Sequence, residues 1–502
     1  MYTSNQSDLA TDLARVATLL RQSDLAAAET ACRSLLTKAP RNAAATHLLG
    51  LIRKVAGDAA DGERLLRDSV ALEPRQADFR ANLANLLRQQ DRFAEAQQYY
   101  LEALQLDPRH QQARLGLVRT LNDQGQHVAA ERECRVLLSQ NDRDPVTWTA
   151  LAMTLRDQQR LVDAEAAYRQ AIAIDPAHAP AHHNLGSVLH RMDRAEESLD
   201  ALSRAQKLGV SGFEIAFNRG MALLQLYRID EAEAAFAEAV RLQPLHGDAQ
   251  VNLARLRFMR GDKDFARDIG ATVAAHRSDK RLPTLLGVVL TRAGDLAGAE
   301  ALLRDLISRN GPSPEMHSAL AAVLLDAGRL KEAESEALSA VTAQPHDATM
   351  IENLVTILLS RGLPDDAMPF IRKQRQRYPL SQGWIAYEAT AARLTGDPLY
   401  RELYDYDRLI RTYDLESPPG WSSMAELNAA LLEMLNARHA FSNHPLDQSL
   451  RNGSQTARNL LTESNRAIQT LLSAFELPIE DYQNAIGNDY MEIGRASCRE
   501  RV

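Results

Sequence analysis

Residues 81–108 read ANLANLLRQQDRFAEAQQYYLEALQLDP, and their pattern decides the fold. Leu83, Leu86 and Leu87 fall at helical spacing within the run from Ala77 to Gln90. Asp91 and Arg92 form a polar break, Phe93 to Leu106 resumes helical character, and Asp107-Pro108 stops it. Proline cannot continue a helical hydrogen-bond ladder and disfavours helix in the residue before it, so Pro108 separates one helical hairpin from the next.

The same punctuation recurs along the chain. Pro40, Pro74, Pro108, Pro176, Pro244 and Pro312 are spaced by 34 or 68 residues, and Pro345 and Pro379 follow after one interval of 33. Twelve residues before most of these prolines stands a small residue: Ala28, Gly62, Ala96, Ala130, Ala164, Ser198, Ala232, Ala266, Ala299, Ala333 and Ala367. Two helices whose backbones approach closely need such a residue, because a larger side chain would hold them apart. Thirteen residues earlier lies a leucine column, Leu49, Leu83, Leu117, Leu151, Leu185, Leu253, Leu286, Leu320 and Leu354, with Arg15 and Arg219 as exceptions. The position after it is mostly Gly or Ala. A period of this length marks a repeat array built of one hairpin per unit, here about eleven of them.

These columns, held in one phase and closed by Asp-Pro, resemble the tetratricopeptide repeat family over about three quarters of the chain. The resemblance implies an all-α, right-handed superhelical solenoid from residue 9 to 381, after a tail at 1–8. Units near Ser278 and Asn310 lack a clean terminus, and Trp148 alone supplies the tryptophan usual near the start of a unit.

Composition agrees with an array. The 502 residues are 45% hydrophobic, 25% charged and 5% aromatic, too long for one compact core and suited to small side chains between helices. A net charge of -8 carries no basic footprint, which argues against nucleic acid and anionic membrane and for a cationic or neutral peptide partner. Met1 to Arg15 is polar and no run approaches 18 apolar residues, so neither export nor a membrane span is expected and the chain reads as cytoplasmic. Cys32, Cys134 and Cys498 form no metal or disulfide pattern. Cys32 and Cys134 share a column with Leu66, Tyr100, Tyr168, Leu202, Phe236, Leu303 and Ile371, four residues after the small column, and are expected as buried core fillers.

Stacked hairpins line a concave face with their first helices, where a binding surface forms without a pocket. Asn82, Asn184, Asn218, Asn252 and Asn353 stand immediately before the leucine column. An asparagine offers an acceptor and two donors, so such a row is a candidate ladder for the backbone of an extended peptide. Members of the family fused to O-linked N-acetylglucosamine transferases carry a similar row, but no Gly-rich nucleotide-binding region follows these repeats.

Two motifs resemble metal chemistry and are read otherwise. His246-Gly247-Asp248 has the spacing of a facial iron(II) site but follows Pro244 in a loop between helices. His182 and His183 are adjacent on one helix, about 100° apart, and are expected at the groove or surface. No phosphate loop, nucleophile elbow or zinc-protease motif occurs.

After Pro379 the period ends and aromatic residues gather, from Trp384 to Trp421. Helices are expected from Trp384 to Leu394 and from Leu399 to Tyr413, then a break at Ser417-Pro418-Pro419-Gly420. Ser423-Met424-Ala425-Glu426 has capping-box form and opens a helix to about His439. The segment from His444 to Thr456, with the helix-like run from Asn459 to Phe475, is similar to the entry of a family of 2-oxoglutarate/iron(II) oxygenases, placing that likeness within 382–487. The likeness implies Arg451 and Gln455 as substrate or cofactor contacts, with iron(II) and 2-oxoglutarate required by a longer parent whose catalytic core would follow. Residues 488–502, ending EIGRASCRERV, resemble a translated adapter or vector sequence instead. The expected function is a scaffold that binds an extended polypeptide; the alternative is the recognition part of a polypeptide-modifying dioxygenase.

Overall fold

The computed structural model describes residues 2–405, 409–438 and 465–486, with side chains from Thr11 onward. Every regular element among them is an α-helix, and the chain divides into two compact units, Met1–Val210 and Ser211–Val502. The first unit holds six hairpins: α1 (Tyr2–Arg21) with α2 (Leu25–Lys38), α3 (Ala43–Val55) with α4 (Ala59–Leu72), α5 (Ala77–Gln89) with α6 (Phe93–Leu106), α7 (Gln111–Asp123) with α8 (His127–Gln140), α9 (Pro145–Asp157) with α10 (Leu161–Ile174), and α11 (Ala179–Arg191) with α12 (Ala195–Lys207). The second holds five: α13 (Phe213–Gln225) with α14 (Ile229–Leu242), α15 (Gly247–Met259) with α16 (Arg267–Ala275), α17 (Arg281–Ala293) with α18 (Leu296–Asn310), α19 (Pro314–Asp326) with α20 (Leu330–Ala343), and α21 (Ala348–Ser360) with α22 (Pro364–Arg377). The α1 helix takes in residues 2–8, set apart above as a tail. Within each unit a first helix also packs on the first helix of the next repeat, as α5 on α7 and α19 on α21, so the first helices share a face.

The columns read from the sequence are the core. Every leucine of the first-helix column is buried, and Cys32, Tyr100, Cys134, Tyr168, Leu202 and Phe236 are fully so. Close approach explains the small residues. A Cβ on Gly62 would lie 3.0 Å from the Lys54 amide, and one on Gly186 or Gly220 would lie 2.6 Å or 2.7 Å from Leu202 or Phe236 of the same repeat. Burial pushes the Cys32 thiol up to about 11 and the Cys134 thiol up to about 12, so both are protonated fillers. One repeat departs from the small column: Ala266 is only half-buried and Ile269 takes the core position. Its second helix starts late because the Asp262 carboxylate accepts from the Asp264 amide at 2.9 Å, while Arg267 donates to the Asp264 carbonyl at 3.0 Å, fixing turns where a helix would begin.

Three further columns appear only in three dimensions. Ser23, Gly57, Asp91, Gly125, Gln159, Asp193, Tyr227, Gly261, Gly294, Gly328 and Gly362 have positive φ and end each first helix. The residue after them closes the turn through its amide, as Asp58 to the Arg53 carbonyl at 2.9 Å and Arg92 to the Leu87 carbonyl at 3.0 Å. A second column donates to the carbonyl six residues earlier: Arg80 to Pro74, Arg114 to Pro108 at 2.8 Å, Trp148 to Asp142 at 2.7 Å, His182 to Pro176 at 3.1 Å and Gln250 to Pro244 at 2.9 Å. Trp148 therefore shares its position with any residue whose side-chain N–H reaches the inter-repeat loop.

The third column is an ion-pair ladder at the start of second helices. Arg92 meets Glu63 of the preceding second helix at 2.7 Å and Glu95 of its own at 2.7 Å. Arg160 joins Glu131 and Asp163, Arg194 joins Glu165 and Glu197, and Arg329 joins Glu300 and Glu332 in the same way.

The chain after Pro379 continues the packing before it changes. Helix α23 (Gln382–Thr395) packs on α22 and α21 as a further first helix would, burying Trp384, Ala389 and Ala392. Helix α24 (Leu399–Leu403) is far shorter than the run to Tyr413 expected from sequence. Residues 410–413, also expected as helix, are not helical; beside them the Leu409 carbonyl accepts from Tyr482 at 2.7 Å and Tyr413 donates to Asp481 at 2.8 Å. Helices α25 (Met424–Arg438), α26 (Arg466–Ala474) and α27 (Glu476–Ile486) follow, with Leu427, Leu431, Ala467 and Ile468 as a small core. The capping box at α25 forms in altered shape: the Glu426 amide donates to Ser423 Oγ at 3.2 Å, while the Glu426 carboxylate accepts from the Ser422 amide at 2.7 Å.

The core column supplies a sharp comparison. Tyr100 donates its hydroxyl to Asn85 at 2.6 Å, whereas the buried Tyr168 hydroxyl has no hydrogen-bond partner among the described residues. Tyr100→Phe should cost about 1 kcal/mol, and Tyr168→Phe should be neutral or stabilising, because it removes a desolvated polar group without removing a hydrogen bond. Urea midpoints of the two variants check this; equal losses would contradict the assigned contacts.

Candidate functional site

The asparagine row lies on first helices, Asn82 and Asn184 in the first unit and Asn218, Asn252 and Asn353 in the second. All five are half-buried, and four of them hold two kinds of position. Asn184 donates to the Pro180 carbonyl at 3.0 Å and Asn252 to the Asp248 carbonyl at 2.8 Å, each one turn back on its own exposed helix face. Asn82 and Asn353 instead reach the preceding repeat, with Nδ2 at 3.1 Å from His47 Nε2 and at 2.9 Å from Ser318 Oγ.

The Asn82 contact is structural. His47 stacks on Phe79 with ring centroids 4.3 Å apart, and burial, opposed by Asp78, pulls its pKa down to about 4. The ring is therefore neutral: Ser69, whose hydroxyl donates to Leu66, receives the Nδ1 proton at 3.4 Å, and Nε2 accepts from Asn82. Asn82 and Asn353 thus tie repeats together, whereas the Asn184 and Asn252 amides bond within their own helices.

Near Asn184 the first-helix face of the first unit encloses a cavity of about 510 Å³, a size that takes a drug-sized ligand or several side chains. Val118, Val146, Met153 and Pro180 give it an apolar surface, and His178 and Asn184 form part of the polar edge. His178 Nε2 lies 3.1 Å from Thr149 Oγ1, which itself donates to the Pro145 carbonyl at 2.8 Å, so His178 donates across the α9–α11 boundary and braces the cavity. No sequence signal marked this cavity, because it depends on which residues of four successive first helices converge.

The histidines are explained by helix geometry. His246 begins α15, its Nδ1 accepting from the Ala249 amide at 3.4 Å while the ring lies 4.3 Å from that of Phe213, so the H-x-D sequence is a helix start. His182 was expected at the groove or surface and is instead buried, because it belongs to the column that donates to the preceding loop carbonyl. Among the described residues no cluster of three or more His, Cys, Asp or Glu has the arrangement to hold a metal ion, and no helix is long and apolar enough to cross a membrane. Arg451 and Gln455 lie outside the described residues.

Comparison with known proteins agrees with this architecture. Tetratricopeptide repeat family models match residues 48–108, 217–280 and 284–348, and residues 87–153, and a TPR repeat model matches 154–193. The matched segments together take in more than half of the 502 residues. No curated protein matches the chain. Among solved structures, yeast Tom70 is similar at 14% identity and a TM-score of 0.44, over 81% of this chain and 100% of that one. A tetratricopeptide repeat protein from Parabacteroides merdae is similar at 16% identity and a TM-score of 0.43, over 50% and 99% of the two chains. With eleven hairpins at one period and family models matching across both units, the chain belongs to the tetratricopeptide repeat family.

Proposed function

We propose that the chain is a protein-interaction scaffold that holds an extended segment of another polypeptide on the first-helix faces of its repeats. The observation that carries this reading is the open apolar cavity of the first unit, edged by Asn184 and formed by first helices of successive repeats. An extended segment suits such a face because its backbone offers a donor and an acceptor at every residue, which amides one turn apart from their present carbonyl partners exchange for at little cost. Apolar side chains then supply affinity in the cavity.

Fluorescence titration with an unfolded, carboxymethylated polypeptide tests the reading. The chain should bind it, and Asn184→Ala/Asn218→Ala/Asn252→Ala should weaken binding at least about fivefold, at a net contribution of about 0.5–1.5 kcal/mol per hydrogen bond. Unchanged affinity of the triple variant would reject the asparagine contacts, and absence of binding by the parent chain would reject the scaffold reading.

A further inference from the structure

The charges lining the 510 Å³ cavity do not follow the charge of the chain as a whole. The chain carries -8, yet Arg88, Arg119 and Arg156 line the cavity against Asp123 and Asp157. Both aspartates are already engaged, Asp123 by Arg88 at 2.9 Å and Asp157 by Arg156 at 2.8 Å. Arg119 is exposed and has no hydrogen bond or ion pair with any described residue. Beside it stand Val146, 40% exposed, and Met153, 37% exposed, over the buried Val118. The remaining lining polar groups are occupied: Asn122 donates to Thr154 at 2.8 Å, and Thr149 joins His178 to the Pro145 carbonyl.

An unpaired guanidinium lining an apolar cavity, with the adjacent carboxylates neutralised by other arginines, is complementary to an anion attached to an apolar group. We infer that this cavity binds an internal polypeptide segment carrying a bulky aliphatic side chain next to an aspartate or glutamate, the aliphatic group on Val118, Val146 and Met153 and the carboxylate on Arg119. This deepens the scaffold reading and rests on it, and it replaces the cationic or neutral partner suggested by net charge, which averages over surfaces the ligand never touches. The carboxylate assigned to Arg119 is a side-chain one, and a free C-terminal carboxylate is the competing occupant that the test separates from it.

The test uses the full chain and two fluorescent octapeptides, blocked at both ends, of sequence Ser-Gly-Leu-Glu-Leu-Glu-Gly-Ser and its counterpart with lysine for glutamate. Anisotropy at low salt should show the glutamate peptide bound at least about tenfold more tightly, with the difference shrinking as salt screens the exposed guanidinium. Arg119→Glu should abolish or reverse the preference; the residue is exposed, so an unchanged thermal midpoint confirms that the fold survives. Met153→Asp should weaken the glutamate peptide as well. Equal binding of the two peptides, or a preference that persists in Arg119→Glu, would overturn the charge assignment while leaving the scaffold reading intact. Binding of neither would overturn the cavity assignment, and the unfolded-polypeptide titration then decides the scaffold reading separately. Binding that appears only when the peptide carries a free C-terminal carboxylate would overturn the internal-segment assignment.

Discussion

Replacing Tyr100 by alanine should destabilise the first unit by about 3–5 kcal/mol, the range for removing a large buried ring. The ring is fully buried in the cluster that runs from Leu66 to Ala201, and Gly116 of the following repeat lies directly against it. That contact sets the size of the effect. The glycine has no side chain to swing into the void, and the backbone of α7 is held by its own hydrogen bonds, so the cavity stays open. The hydroxyl bond to Asn85 accounts for about 1 kcal/mol of this, so most of the loss comes from the emptied ring volume. In an array each repeat depends on its neighbours, so amide protection should fall first in α5 to α8. Leu101→Ala, one residue on and 44% exposed, should change stability by less than about 0.5 kcal/mol. Comparable losses for the two variants, measured by thermal unfolding and hydrogen exchange, would show that Tyr100 does not fill the core.

What was legible in the sequence is what the backbone imposes on residue type. A fixed helix–helix approach demands a small side chain, so Ala96, Ala130 and Ala164 form a visible column, and a buried stripe demands an apolar one, so Leu83, Leu117 and Leu151 form another. Columns defined by a hydrogen bond or a backbone angle were hidden. Arg80, Trp148, His182 and Gln250 share no chemistry except an N–H of suitable reach. Ser23, Asp91, Gln159 and Tyr227 share only a positive φ, which glycine takes freely and these residues adopt under tertiary constraint. Burial of His182 was missed for the same reason: polarity suggested solvent, and the Pro176 carbonyl supplied a partner inside.

The candidate site was half legible. Position within the repeat placed the asparagines on first helices, but it did not separate Asn184, bonded to its own helix, from Asn82, locked to a neutral His47 thirty-five residues away. Nor did it show that Asp123 and Asp157 are neutralised while Arg119 is left without a counter-ion among the described residues, since that depends on rotamers across three repeats. Net charge averages over the whole surface and carries no sign for this cavity, which three arginines line against two aspartates.

The ladder should make the first unit acid-sensitive in a way that Glu63→Gln/Glu131→Gln removes. Burial raises the pKa of both carboxyls, but for Glu63 the bonds from Arg92 and Arg67 outweigh it, and for Glu131 those from Gln158, Arg160 and Arg135 do, so both lie below the ordinary value. A depressed pKa means that the folded state holds the carboxylate more tightly than the unfolded chain does. The stabilisation is therefore complete above the unfolded value of about 4.3 and is lost as pH falls through that value toward the lower folded one. Glutamine keeps the shape and an acceptor but has no charge, like the protonated acid. At pH 7 the double variant should be less stable by about 2–3 kcal/mol, since a hydrogen bond to a charged group is worth about 1.5–3 kcal/mol and the partner arginines are partly exposed. Glu131 weighs more than Glu63, its side chain being 6% exposed against 17%, and salt should screen it less. Toward pH 3 the two proteins should converge, because acid makes the parent resemble the variant. Urea midpoints followed from pH 7 to pH 3 measure this, and parallel curves for parent and variant would show that the ladder's carboxylates are not preferentially charged in the folded state.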